Sequence, residues 1–428
     1  MFDSSLVLPM SLSQRGEITR RALLQRSAAG LLATGVWSRL GLHADEVKRE
    51  GKACILVWLA GAPSQMEMWD PKPGTKNGGE TKAISTAVSG IQIAEYWPKI
   101  ARQMKEIALI RSVSGKEAAH ERGSYHLQTG RRLTGSKDFP HFGAVVASRI
   151  GDRKSDMPNF VSVGETLGSG FLGVNHAPFI VDKPGELPEN VASATSPPRL
   201  KRRLELLREQ DEELSEAGAK AIVEEHSKLY ERANKLMTSP RLKSFELSGE
   251  NDQTFEAYGK SNFGKGCLVA RRLVESGVPF VEVVRGGWDM HNNIYDRIKA
   301  NAADVDQGLS QLLTDLKQRG LLQKTLVICM GEFGRTPKIN SRDPKPGRDH
   351  WAKNFNVLMA GCGVKGGRAI GKTNDTGQEI TDRSVAVEDL FQSFCHCLEI
   401  DATENLYSPA GRPMKIVDGG EAIKELFA

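Results

Sequence analysis

Six short, continuous apolar runs constrain what this chain can fold into. They are Ala53–Leu59, Ile107–Arg111, Phe160–Val163, Pro279–Val284, Thr325–Met330 and Asn356–Gly361. Runs of this length without polar alternation read as strands buried on both faces, and helix-length segments separate them. The pattern predicts an α/β fold with a central, mostly parallel or mixed sheet covered by helices. The clearest helix is predicted over Asn293–Arg319, where Ile294, Ile298, Val305, Leu309, Leu312 and Leu316 share one stripe and Gly320 ends it. A second, Ser384–Leu398, aligns Val387, Leu390, Phe391, Phe394 and Leu398. Between the third and fourth strands the texture changes. After Pro197-Pro198 the highly charged stretch Arg199–Leu236 predicts a helical insertion, about residues 197–250, packed on the main sheet. Charge-dense helices are usually solvated faces, so no chemistry is assigned to it.

The charge balance is close to even, 58 basic against 53 acidic residues, for a net +5. Five Arg against Asp3 and Glu17 give residues 1–44 a net +3, so the remainder carries only +2. A surface so nearly neutral argues against nucleic-acid binding. The amino-terminal excess has its own reading. Arg20-Arg21 precede a weakly apolar run, Ala28–Trp37, in the manner of a twin-arginine export signal. That run is about half the roughly 20 residues that span a bilayer, so it is no permanent anchor. Residues 1–44 therefore read as an export signal, 45–428 as a single domain, and the protein as periplasmic or extracellular. The six Cys form no Cys-x-x-Cys pair and sit in apolar segments, which suits small buried hydrophobes better than a structural zinc.

In open α/β sheets ligands bind at the carboxyl ends of strands. Polar residues gather at four such ends. Gly61-Ala62-Pro63-Ser64-Gln65-Met66-Glu67-Met68-Trp69-Asp70 follows the first strand, and Ser112-Val113-Ser114 with His120–Arg131 follows the second. Gly286–Asn293 and Gly331–Pro337 follow two others, with Gly347–Trp351 further on. Asp289 and His291, two apart in an extended loop, can point to one side and share a cation. Mixed oxygen and nitrogen donors suit a divalent ion, zinc first, with manganese or calcium as alternatives. Glu332, between a strand end and its loop, His350 and Asp349 are further candidate ligands, and Asp70 joins them from the first loop. Arg335, Arg348 and Lys353 offer positive charge for an anionic ester. A bland reading stands beside each: Asp289 could cap the following helix, and His350 could be a packed loop histidine.

Together the Asp-Pro-Lys-Pro loop, Gly-Trp-Asp-x-His, Gly-Glu-Phe-Gly-Arg-Thr-Pro and Gly-Arg-Asp-His-Trp resemble the secreted bacterial family catalogued as domain of unknown function 1501. That family is sulfatase-like and related in fold to the alkaline phosphatase and sulfatase superfamily. The resemblance implies a three-layer sandwich, one or two divalent ions at the strand ends, and phosphate- or sulfate-ester chemistry. The chain also departs from the sulfatase pattern. Leu127-Gln128-Thr129-Gly130-Arg131 matches its second half, but the nucleophile position falls on His120, from which no formylglycine can form.

The leading expectation is an exported metal-dependent hydrolase of phosphate or sulfate esters, in which the cation acidifies a water for attack. Ser112, Ser114, Ser124 or His120 are alternative direct nucleophiles, and His126 or His120 candidate acids, bases or ligands. The competing expectation is a non-catalytic binder of sulfated or anionic glycans at the cell surface, using Arg131, Arg335 and Arg348.

Overall fold

The nine strands of the main sheet are β1 (Ala53–Trp58), β2 (Ile107–Ser114), β3 (Phe160–Val163), β4 (Phe179–Val181), β5 (Phe280–Val284), β6 (Thr325–Met330), β7 (Phe355–Ala360), β8 (Arg368–Ile370) and β9 (Val385–Ala386). All belong to a computed structural model that describes residues 51–428 apart from 136–137, 189–190, 192–196 and 342–344. Residues 1–44, read from the sequence as an export signal, lie outside the described residues. Strand order is β8-β2-β7-β6-β1-β5-β3-β4, with β9 also pairing on β2. Only β7 runs antiparallel to its neighbours, β2 and β6. The sheet is therefore mixed.

The helices are α1 (Pro98–Gln103), α2 (His120–Thr129), α3 (Phe142–Arg149), α4 (Pro197–Leu214), α5 (Lys220–Thr238), α6 (Asp252–Tyr258), α7 (Asn262–Glu275), α8 (Ile294–Gln318) and α9 (Val387–Leu398). Strand residues alternate between two cores. Ile55, Val57, Val281, Val283 and Val327 join α7 and α8 on one face, through Leu268, Leu273, Leu309 and Leu316. Cys54, Leu56, Phe280, Leu326 and Ile328 join α3 and α9 on the other, through Phe142, Val146, Leu390 and Phe394. Each such side chain contributes about 1.5–3 kcal/mol on burial, which is why the strands carry no polar alternation. The result is a three-layer α/β sandwich, with a mixed central sheet between two layers of helices.

The structure sharpens the boundaries read from sequence. β2 runs on to Ser114, because Val113 pairs with β7 and β9 and Ser114 with β9 rather than entering a loop. The charged stretch divides into α4 and α5 across residues 215–219. The strands β4, β8 and β9 are two or three residues long, too short to leave an apolar pattern. The six cysteines are buried and unpaired. No helix among the described residues is long and apolar enough to cross a membrane.

One buried carboxyl sits within the sheet itself. Glu282 on β5 is fully buried, accepting from Gln128 Nε2 (3.0 Å) and Thr166 Oγ1 (2.5 Å). Burial pushes its carboxyl up to about 7, against the lowering effect of those two hydrogen bonds. A folded-state pKa above the unfolded one stabilises fully below the unfolded value, and that contribution is lost as pH rises through the folded one. Glu282→Gln removes this dependence. The variant should gain about 3 kcal/mol relative to the parent between roughly pH 4.5 and 7. Urea titrations across that range would measure it, and a pH-independent difference would contradict the assignment.

Candidate metal centre

The carboxyl ends of β1, β2, β5 and β6 share one edge of the sheet, and the antiparallel β7 begins there. Each contributes a loop. Gly61, after β1, has φ 110°, and a Cβ there would stand 2.5 Å from the Asp289 amide nitrogen. Glycine thus lets the β1 loop lie flat against the β5 loop. Beyond β6, Gly334–Arg335 pairs antiparallel with His350–Trp351, setting His350 opposite Arg335. Gly347 closes the arrangement, since a Cβ there would meet the His291 carbonyl at 2.1 Å.

Three imidazoles converge on Asp289 Oδ1. Nε2 of His291 is 3.1 Å away, and Nε2 of His120 and of His350 are each at 3.4 Å. His120, Asp289 and His350 offer ligand atoms within 4.8 Å of one another, and His291 Nε2 stands 3.0 Å from His350 Nε2. The opposite ring nitrogens are all held. His120 Nδ1 donates to Glu332 Oε1 at 2.6 Å, His291 Nδ1 to Asp349 Oδ1 at 2.9 Å, and His350 Nδ1 to the Ala118 carbonyl at 2.8 Å. Asp349 is in turn bonded by Asn340 Nδ2 at 3.2 Å. Glu332 is buried and also accepts from the Gly61 amide at 2.9 Å.

Those acceptors fix the tautomers, because a carbonyl or carboxylate oxygen cannot donate. Each ring carries its proton on Nδ1 and, when neutral, turns a lone pair at Nε2 toward its neighbours. Two such lone pairs 3.0 Å apart, facing a carboxylate, repel unless a positive charge lies among them. His120 Nε2 is moreover buried with no hydrogen-bond partner. The donor set, three imidazoles and one carboxylate, with each Nδ1 held by an acceptor, fits a zinc-like cation. Fixed charge shapes the rest. Burial would raise the Asp289 carboxyl, but the Arg335 guanidinium at 2.5 Å outweighs it, with His291 and His120, and holds it down to about 2. His350 is pushed down by burial and then by Arg335, so it stays neutral. His120 is raised, chiefly by its hydrogen bond to Glu332. The Asp289 and His291 side chains are 45% and 41% exposed, so the cluster opens to solvent.

The remaining sequence candidates fall elsewhere. Glu332 and Asp349 stand behind His120 and His291 rather than in the cluster, their oxygens already accepting ring protons. Asp70 is buried between Lys72 Nζ at 3.0 Å and Thr373 Oγ1 at 2.5 Å, so it is no ligand here. Arg335 and Arg348 are fully buried, which corrects their reading as substrate contacts. Arg335 holds the Gly61 and Ala62 carbonyls together with Asp289. Arg348 pairs with Glu67 and with the Asn77 and Pro337 carbonyls. Arg131 lies over the Phe139 ring and bonds Asp418 and the Lys415 carbonyl, spent on a surface contact. Lys353 stays exposed, 5.1 Å over the Trp351 ring. Ser112 is buried on β2 and donates to the Arg383 carbonyl, so it cannot meet a substrate. His126 is buried, six residues and about 240° around α2 from His120, so it turns away from the cluster. Ser124, four residues on, shares the His120 face one turn deeper, half-buried. The sequence reading did not foresee the Ala118 carbonyl and Gly61 amide, since backbone groups leave no residue-type signal.

A family model described as "Protein of unknown function (DUF1501)" matches residues 51–427. Among curated proteins the comparison finds no match. Similar solved structures include PsFucS1 sulfatase from Pseudoalteromonas sp., 10% identical, covering 84% of this chain and 71% of that one, with a TM-score of 0.39. Ps i-CgsB in complex with k-i-k-neocarrahexaose is 12% identical, covering 82% and 72%, with a TM-score of 0.40. A protein in the alkaline phosphatase superfamily from Vibrio parahaemolyticus is 13% identical, covering 82% and 67%, with a TM-score of 0.39. Likeness at this level says nothing about individual side chains.

Proposed function

The chain belongs to the DUF1501 family, and we propose that it is an exported, metal-dependent hydrolase of phosphate or sulfate esters. The observation that carries this reading is the convergence of His120, His291 and His350 on Asp289, every Nδ1 proton being held from behind. These four residues would hold the cation, zinc being favoured by the three nitrogen donors. A cation of that kind offsets charge on an anionic ester and acidifies a water at neutral pH. The chain's own residues do the rest. Glu332 and Asp349 keep the rings oriented and electron-rich, and Arg335 keeps Asp289 ionised. Lys353 is the exposed cation beside the cluster's ribbon, and it is assigned to the ester's negative charge. Ser124 is the hydroxyl nearest in helical phase to His120. The alternative reading, a glycan binder, is weakened because two of its three arginines, Arg335 and Arg348, are spent in the interior.

Elemental analysis of the purified mature protein, followed by a phosphate- and sulfate-ester panel, tests the reading. One transition metal per chain is expected, with turnover abolished by chelation and restored by metal. Glu332→Gln should weaken metal binding about tenfold to a hundredfold, since outer partners of ligating histidines typically have that effect. Protein free of stoichiometric metal, or turnover indifferent to chelation, would refute the proposal. The export reading has a separate test. Lys-Lys in place of Arg20-Arg21 should leave the protein in the cytoplasm, and normal export of that variant would exclude a twin-arginine route.

A further inference from the structure

At the opposite edge of the sheet, beside the amino ends of β3 and β4, lies a cavity of about 500 Å³. Its walls come from residues 152–159, 174–179 and the second half of α5. The lining divides by chemistry. Met157, Phe179, Leu229 and Leu236 supply an apolar side, while Arg153, His176, Arg232 and Lys235 supply a basic one. Arg232 is the unusual member. It reaches in from α5 and donates to the Val174 carbonyl, yet no carboxylate pairs with it among the described residues. Even a part-buried charge is usually set beside a counter-charge, because desolvation is costly without one.

The acidic residues of the wall do not answer it. Asp156 is taken by Arg241 and by Ser239 Oγ at 2.6 Å. Asp152 accepts from the Lys154 amide in its own turn at 2.8 Å, and Glu231 is exposed. His176 adds a second unanswered group, its Nδ1 buried with no hydrogen-bond partner. Burial first, then Arg232, Arg153 and Arg149, pushes this imidazole down to about 4, so it enters the cavity wall neutral and able to donate. A donor and a guanidinium with no counter-charge thus face a space whose other wall is aliphatic and aromatic. Cavities of several hundred Å³ with an apolar wall and a few converging polar groups are the usual form of small-molecule sites.

We propose that this cavity binds a small amphiphilic anion, with Arg232, Arg153 and His176 taking a carboxylate or phosphate head and Met157, Phe179, Leu229 and Leu236 taking its apolar body. The site is separate from the metal centre, which occupies the carboxyl ends of the strands, and it does not depend on that centre's chemistry. Its physical basis is a guanidinium that meets a carbonyl but no carboxylate among the described residues.

Titration calorimetry with decanoate, decyl phosphate and decanol tests it on the full mature protein. Saturable binding of at least one anion is expected, with decanol at least tenfold weaker. The comparison of decanoate with decyl phosphate identifies the preferred head group. Arg232→Met should weaken anion binding tenfold or more. In the absence of anion it should unfold at an unchanged or higher urea concentration, because it removes an unpaired charge from a part-buried position. A purely structural Arg232 would instead lower that midpoint and leave anion binding intact. Arg153→Gln, which breaks no hydrogen bond or ion pair seen among the described residues, should weaken binding severalfold and carries the test if Arg232→Met fails to fold. His291→Ala, altered only at the distant metal centre, should bind the anion normally. Absence of saturable binding, equal binding of decanol, or undiminished binding by both arginine variants would overturn the proposal.

Discussion

Alanine at His291 is expected to lower metal affinity by at least a hundredfold, and ester turnover with it. Removing only an outer partner of a ligating histidine generally costs about tenfold to a hundredfold, so losing the donor itself should cost more. His291 is the informative position because its Nε2 lies 3.1 Å from Asp289 Oδ1 and 3.0 Å from His350 Nε2. Its removal leaves His120, His350 and Asp289, and it frees Asp349 from its ring partner. Water must then fill the vacancy, a weaker and less firmly held donor than the imidazole. His126→Ala is the control: it also removes an imidazole, from the helix that carries His120, but at a buried position outside the cluster. Equilibrium dialysis of both variants against zinc would measure the difference. A full metal complement in the His291 variant would refute the centre, whereas loss in both would point to general damage to the fold.

Much of the framework was legible because it follows from periodicity. Continuous apolar runs such as Thr325–Met330 have to be buried on both faces, and the helical stripe from Ile294 to Leu316 permits only one orientation. The gathering of these residues into one cluster was legible too, since polar residues after parallel strands meet at one edge. Division of labour among those residues was not. Glu332 and Asp289 are both carboxylates at strand ends, and only packing decides which faces the cluster. Glu332 is turned inward because the Gly61 amide claims it, leaving Asp289 as the oxygen at the centre. Arginine was the more misleading signal. A guanidinium with five donors can hold an anionic ligand or tie loop carbonyls together, and sequence does not separate the two. Arg335 and Arg348 do the second, in a place where the first was expected.

The largest stability effect should come from that second use of arginine. Arg348 and Glu67 are fully buried, joined through Nη2 at 2.7 Å and through Nε at 3.0 and 3.1 Å. The pair ties the loop after β1 to the segment carrying Asp349 and His350. Arg348→Met leaves the Glu67 carboxylate buried without its counter-charge, with only the weak Thr81 hydroxyl contact at 3.4 Å from a side chain among the described residues. The Asn77, Thr336 and Pro337 carbonyls lose their donor as well. Breaking a buried pair in this way costs about 3–5 kcal/mol, whereas replacing both partners by apolar groups is often close to neutral. Glu67→Leu combined with Arg348→Met should therefore recover part of the loss. Recovery should be incomplete, because the three carbonyls stay unpaired in both variants. Urea unfolding of the metal-free proteins would read the two effects without ligand linkage. A single variant within 1 kcal/mol of the parent would mean that water reaches Glu67 and that the tie is dispensable. If the tie acts as described, metal affinity should fall in the single variant as well, since Asp349 and His350 follow Arg348 directly in the chain and are positioned by the same segment.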